Sequence, residues 1–187
     1  MRRLIVGISG SSGAIYGVRI VEVLSRVPEV ETHLIVSRGA EATIAYETEY
    51  DPARVFAMAD TVYSNSKVGA APASGTFVTD GMVVAPCSMK TLSSIANSYG
   101  STLIARAADV CLKERRRLVL VTRETPLHLG HLRLMCRVTE TGGVVLPPVP
   151  GFYTRPRSIS DIVDHTITKI LDQFGIEANL ITRWGGI

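Results

Sequence analysis

Apolar runs without polar alternation constrain this chain more than any other feature. Leu4 to Ser9, His33 to Ser37, Gly81 to Ala85 and Arg117 to Thr122 are short and largely apolar throughout. A strand with one face in water alternates polar with apolar residues, whereas a strand covered on both faces does not. Between these runs lie segments with a helical period. Ala14 to Arg26 carries Ile15, Val18, Val21 and Leu24, and Ser160 to Phe174 carries Ile162, Val163, Ile167, Ile170 and Leu171. Further helices are expected at Ala40 to Glu47, Pro52 to Asp60, Thr91 to Asn97, Leu103 to Glu114 and Leu129 to Thr141, with a brief strand at Val144 to Leu146. Residues 61–78 are small and polar, contain Pro72, Ser74 and Gly75, and are expected to form a long loop. Strands separated by helices predict a doubly wound α/β domain with a mostly parallel sheet, a Rossmann- or flavodoxin-like three-layer sandwich.

The 187 residues suit one domain spanning 1–187, with a C-terminal tail from about 174 to 187 expected in subunit contacts. A net charge of +3 and 6% aromatics argue against a nucleic-acid partner. No stretch approaches the ~20 apolar residues of a membrane helix, and Gly7, Ser9 and Gly10 end the first apolar run too early for a signal peptide. The three well-separated cysteines, Cys87, Cys111 and Cys136, make no disulfide framework or zinc motif and fit a reducing cytosol. A cytoplasmic protein is expected.

In an open α/β sheet, ligands bind beyond the carboxyl ends of the strands. The turns there carry the candidate chemistry. Gly10-Ser11-Ser12-Gly13 joins the first strand to the first helix, where glycines and free N–H groups suit a phosphate as well as an ordinary turn. It is not the GxGxxG of a dinucleotide site, and a mononucleotide fits better. Pro86-Cys87-Ser88-Met89-Lys90-Thr91 ends another strand and can cap the next helix. Cys87 has no histidine nearby in sequence and reads as packing rather than as a nucleophile. Arg123-Glu124 ends the most apolar strand and offers a cation and a carboxyl to a phosphate, or a surface ion pair. His128 and His131 lack further ligands at metal spacing, so no metal is expected, and His33 and His165 read as ordinary strand and helix residues. Glu47, Tyr153 and Lys169 are unremarkable by spacing alone. Gly130 sits in a helix at some cost to it, with no reason visible in the sequence.

Several segments occur together in register: Gly7-Ile8-Ser9-Gly10-Ser11-Ser12-Gly13-Ala14, Pro86-Cys87-Ser88-Met89-Lys90-Thr91-Leu92, Arg106-Ala107-Ala108-Asp109 with Leu112-Lys113-Glu114-Arg115, Arg123-Glu124-Thr125-Pro126-Leu127, Pro147-Pro148-Val149-Pro150-Gly151-Phe152-Tyr153, and Arg183-Trp184-Gly185. In this order they resemble the UbiX-type flavin prenyltransferases, a family that includes the small subunits once called phenylacrylic acid decarboxylases. The resemblance covers essentially the whole chain. It implies transfer of a dimethylallyl group from dimethylallyl monophosphate to N5 and C6 of reduced FMN, with release of phosphate. The product, prenylated FMN, would serve a UbiD-type decarboxylase. It also implies no metal, and the sequence has no aspartate-rich pair to hold one on a diphosphate.

Carried over residue by residue, the resemblance implies that Gly10, Ser11, Ser12, Ser37, Ser88, Met89, Lys90, Thr91 and Arg123 bind FMN. Lys113, Arg123, Glu124, Tyr153 and Lys169 would hold the isoprenoid phosphate. Glu124 would protonate the leaving phosphate, Ser12 and Glu47 would handle protons in ring closure, and Trp184 would offer its π face to allylic charge. The family often carries Arg where this chain has Lys169, which exchanges a two-pronged grip for a point charge. Family members form dodecamers with sites where subunits meet, so a homododecamer is expected. Two other readings stand beside this one: a non-catalytic FMN-binding subunit of an aromatic acid decarboxylase, and a relative of the flavin-dependent cysteine decarboxylases.

Overall fold

In a computed structural model, which describes residues 1–185, six parallel strands form one sheet in the order β3-β2-β1-β4-β5-β6. In chain order the elements are β1 (Arg2–Ile8), α1 (Ala14–Leu24), β2 (Val30–Val36), α2 (Arg38–Glu47), α3 (Pro52–Phe56), β3 (Thr61–Ser64), β4 (Gly81–Cys87), α4 (Met89–Ala96), α5 (Leu103–Lys113), β5 (Arg117–Thr122), α6 (Leu129–Glu140), β6 (Val144–Val145) and α7 (Ile159–Asp172). The expected fold class holds. Among the described residues no helix is long and apolar enough to cross a membrane.

The apolar runs bury both faces of each central strand. Leu4, Val6 and Ile8 of β1 point to one core with Val18 and Val21 of α1 and Ile167 and Ile170 of α7. Ile5 points to a second core with Leu92 of α4, Ile104 of α5 and Val138 of α6. Such close packing sets firm limits. A Cβ on Gly17 of α1 would collide with the carbonyl oxygen of Ala85 in β4, so that helix lies directly on the sheet.

One expectation is corrected. Residues 61–78 are not all loop: Thr61–Ser64 pairs in parallel with His33–Val36 as the edge strand β3, and Ala71–Ala73 forms a single 3-10 turn. An edge strand has one flank without a partner, and β3 alternates half-buried and exposed residues, so it lacks the continuous apolar run of its neighbours.

The sheet order reverses between β1 and β4, both followed by helices on opposite faces. The crevice at this switch point, beyond the carboxyl ends of the strands, is where the fold presents a ligand site.

Candidate active site

Ser9, the last buried residue after β1, ties the two sides of the crevice together. Its hydroxyl donates to the Pro86 carbonyl at 2.7 Å and accepts from the Ser88 N–H at 2.9 Å. Gly10 brings a third loop in: a Cβ there would stand 2.9 Å from the carbonyl carbon of Gly39. The loops after β1, β2 and β4 therefore touch through backbone. Between them lies a cavity of about 470 Å³, lined by Gly10, Ser37, Ser88, Lys90 and Thr91, together with Arg38, Asn65, Ser101 and Thr102.

Two helices begin at this cavity with serine caps. Ser37 accepts from Ala40 N at 3.1 Å, and Ser88 accepts from Thr91 N at 3.2 Å while donating to the Thr91 hydroxyl at 3.0 Å. First-turn N–H groups have no partners within their helix, and each cap satisfies one, so the remainder face the cavity with the positive ends of two helix dipoles. Lys90 is exposed at the same rim.

The start of α1 differs. Gly13, in the left-handed region at φ 93°, supplies no side-chain cap. Glu47, at the end of α2, fills the role: its Oε2 accepts from Gly13 N at 2.7 Å and Ala14 N at 3.2 Å. Partial burial pushes the Glu47 pKa up, but the Ser12 hydroxyl, those two N–H groups and the Arg123 charge outweigh it and hold Glu47 below the ordinary carboxylate value. A carboxylate thus already occupies the α1 N–H groups that the sequence offered to a phosphate. Phosphate is better received at the α2 and α4 N-termini.

Arg123 follows β5 and extends toward this corner, its Cγ lying 4.0 Å from where a Gly13 Cβ would stand. Glu124 is exposed beside it and accepts from Thr125 N at 3.1 Å. Ser12, Glu47 and Arg123 therefore share one corner, and Glu124 follows Arg123 in the chain. In the same turn the Ser11 hydroxyl is buried without a hydrogen-bond partner among the described residues. Glycine backbone in contact and two serine-capped helix N-termini with further first-turn N–H groups are the features a polyhydroxylated, phosphorylated ligand such as FMN would satisfy.

Tyr153 belongs to a second group, beyond β6, where its ring packs against His165 and Trp184. Lys169 lies one turn along α7 from His165 and is exposed. Lys113 is placed elsewhere. It ends α5, pairs with Glu114, and lies beside Gly75 near the start of β5. At about 3.3 Å per residue, β5 puts roughly 16 Å between that edge and the edge carrying Arg123. One protomer brings Ser12, Glu47 and Arg123 together, with Glu124 next in the chain, but leaves Lys113 near the other end of β5. Trp184 folds back on its own chain, with Arg183 paired to Asp172 at 2.6 Å, and the last two residues of the tail lie outside the described residues.

Cys87 is fully buried and its thiol pKa is pushed up by that burial, while burial pushes Cys111 up to about 12; neither is a nucleophile at neutral pH. His128 caps α6 by accepting from Gly130 N at 3.0 Å, and a Cβ on Gly130 would stand 2.7 Å from the His128 ring. Gly130, unexplained in the sequence, is the space this cap requires. Among the described residues no group of three His, Cys, Asp or Glu side chains is arranged to hold a metal.

The comparisons with known proteins bear on this crevice. A family model described as Flavoprotein matches residues 1–171. The flavin prenyltransferase UbiX of Thauera aromatica is 55% identical over 98% of this chain and 94% of its own. The chain belongs to the UbiX flavin prenyltransferase family. The UbiX structure titled AnUbiX (PadA1), in complex with FMN and dimethylallyl pyrophosphate, superimposes with a TM-score of 0.97 at 49% identity, covering 100% of this chain and 98% of that one. A dodecameric FMN-dependent UbiX-like decarboxylase from Escherichia coli O157:H7 gives 0.96 at 47% identity, over 98% of this chain and all of the other.

Ser9, Gly39, Asn65, Ser94, Ser101 and Thr102 also line the crevice, without a sequence signal that singles them out. Ser9 lay hidden inside an apolar run. Asn65 follows β3, and once that edge strand is read as loop, the rule that sites follow strand ends no longer points to it. Ser101 and Thr102 precede α5, and Thr102 reads as a plain cap.

Proposed function

We propose that this chain transfers a dimethylallyl group from dimethylallyl monophosphate to N5 and C6 of reduced FMN, releasing phosphate and yielding prenylated FMN for a UbiD-type decarboxylase. The full-length match to UbiX flavin prenyltransferases carries this reading, and the crevice supplies its chemistry. When bound, reduced FMN supplies the nucleophilic N5 and C6 that accept the allyl group.

The chain's own residues hold and protonate. Ser37, Ser88, Met89, Lys90 and Thr91 receive the FMN phosphate and ribityl chain at two helix N-termini, while Gly10, Ser11 and Ser12 line the opposite wall. Arg123 would serve both ligands. Its charge, with those of Lys113 and Lys169 and the Tyr153 hydroxyl, grips the isoprenoid phosphate without a metal. Leaving a dianionic ester unassisted, phosphate would depart as the trianion, and Glu124 would deliver a proton to its departing oxygen so that it leaves as the dianion. Ser12 and the ionised Glu47, joined at the same corner, would handle the protons of ring closure, in which the prenyl alkene gains one proton and flavin C6 loses one. Because Lys113 lies across the sheet from Arg123, a complete phosphate site takes Lys113 from another protomer of a homododecamer. Three unpaired cysteines suit a cytoplasmic setting.

Glu124→Gln tests the acid. Under anaerobic conditions with reduced FMN, it should keep FMN affinity within about twofold while slowing phosphate release from dimethylallyl monophosphate at least about a hundredfold. Equal rates for variant and parent would remove Glu124 from that role. Running dimethylallyl diphosphate in parallel reports which donor the chain takes.

A further inference from the structure

The Pro147–Pro150 segment delivers Tyr153 to the edge of the sheet, but a side chain of α7 fixes where it points. The Tyr153 hydroxyl lies 2.8 Å from His165 Nε2. The two rings meet edge to face, with centroids 5.4 Å apart and planes at 77°, and Trp184 closes the far side at 5.7 Å. Gly151 permits this approach, since a Cβ there would stand 3.0 Å from His165 Cε1 and 3.2 Å from Tyr153 Cε1. His165 is 8% exposed and Tyr153 51% exposed. A buried group thus holds the oxygen of a half-open phenol.

The second ring nitrogen fixes the direction of the hydrogen bond. His165 Nδ1 is buried and has no partner among the described residues. A hydrogen on Nδ1 would leave a buried N–H unbonded, a rarer and costlier defect than an unbonded lone pair. The tautomer that leaves no buried N–H unbonded carries its hydrogen on Nε2 and donates it to the Tyr153 oxygen. The Tyr153 O–H is then free to donate elsewhere. Lys169, at i+4 from His165, lies one turn away on the same helix face.

We propose that His165 is a positioning residue: its Nε2–H holds the Tyr153 oxygen so that the phenol presents its own O–H, beside Lys169, to the phosphate of the isoprenoid substrate. This rests on the assignment of Tyr153 and Lys169 to that phosphate. It predicts that His165 acts on substrate binding only through Tyr153.

The test is a double-mutant cycle read by calorimetry. The protein is loaded with oxidised FMN, which lacks a nucleophilic N5, and titrated with dimethylallyl monophosphate. His165→Leu should weaken binding about tenfold, the scale of one hydrogen bond to a charged group. His165→Gln, which keeps an N–H at similar reach, should bind within about threefold of the parent, and FMN affinity should not change in either. In a Tyr153→Phe background, His165→Leu should have no further effect. Parent-like binding by His165→Leu, failure of Gln to restore binding, or multiplication of the two effects overturns the proposal. Should the Leu variant not fold, His165→Asn, too short to reach the phenol, takes its place in the cycle with the same expectations. A parent that binds no dimethylallyl monophosphate overturns the functional assignment beneath the proposal as well, whereas multiplying effects on intact parent binding overturn the proposal alone.

Discussion

Glu47 ends α2, where a negative side chain opposes its own helix dipole, yet the same carboxylate faces the positive end of α1. Its effect on a second helix explains why spacing alone said nothing of it. Replacing it by Ala should cost about 1 kcal/mol, as for the loss of an N-terminal cap, read as a shift of the urea midpoint. The sign of its pH dependence follows from its lowered pKa. Because the folded value lies below the ordinary 4.5, the unfolded chain takes up the proton first as the pH falls. The stability difference between parent and Glu47→Gln should therefore be complete above pH 4.5 and vanish as the pH drops through the lower folded value. A difference that grows on acidification contradicts the assigned cap. Gly130 makes a second case at this scale. Helix propensity alone favours Gly130→Ala by up to about 1 kcal/mol. The His128 ring occupies that space, so the substitution should not raise the melting temperature, whereas in a His128→Ala background it should.

The elements were legible where burial is two-sided and obscure where it is not. The buried runs of β1, β2, β4 and β5 could not be mistaken, because only a sheet covered on both faces uses them. β3 borders solvent, its pattern is mixed, and with it Asn65 was lost from the site. Asn65 then does two jobs that no local pattern announces: its Oδ1 accepts from Ile104 N at 2.9 Å and its carbonyl accepts from Leu103 N at 2.9 Å, fixing the start of α5. The link between elements that matters most for the crevice is Ser9. Ser9→Ala would leave the Ser88 N–H without its acceptor, at a cost of about 1–3 kcal/mol. The loops after β1 and β4 would lose their register, and FMN affinity, followed by quenching of flavin fluorescence, should fall together with stability. A variant that loses stability but binds FMN as the parent does would show that Ser9 serves the fold alone.

On the scale of the whole molecule, the sequence pattern settled the doubly wound sheet, and the crevice followed from strand order. The proposed phosphate grip did not, since Lys113 and Arg123 lie at opposite ends of β5 in one protomer. On the proposed function, assembly would bring them together. Lys113→Ala and Arg123→Ala should each slow prenyl transfer at least about tenfold through loss of a charge-assisted contact. Dissociated, mixed and reassembled, the two should regain activity, because some sites then receive Arg123 from one protomer and Lys113 from another. No recovery would place the two residues in separate functions. The claim beneath all of this is that the crevice joins an isoprenoid to a flavin. The decisive measurement is the mass of the flavin extracted after anaerobic incubation with reduced FMN and dimethylallyl monophosphate: it should rise by one C5H8 unit, and FMN held tightly at unchanged mass would rule out the transfer.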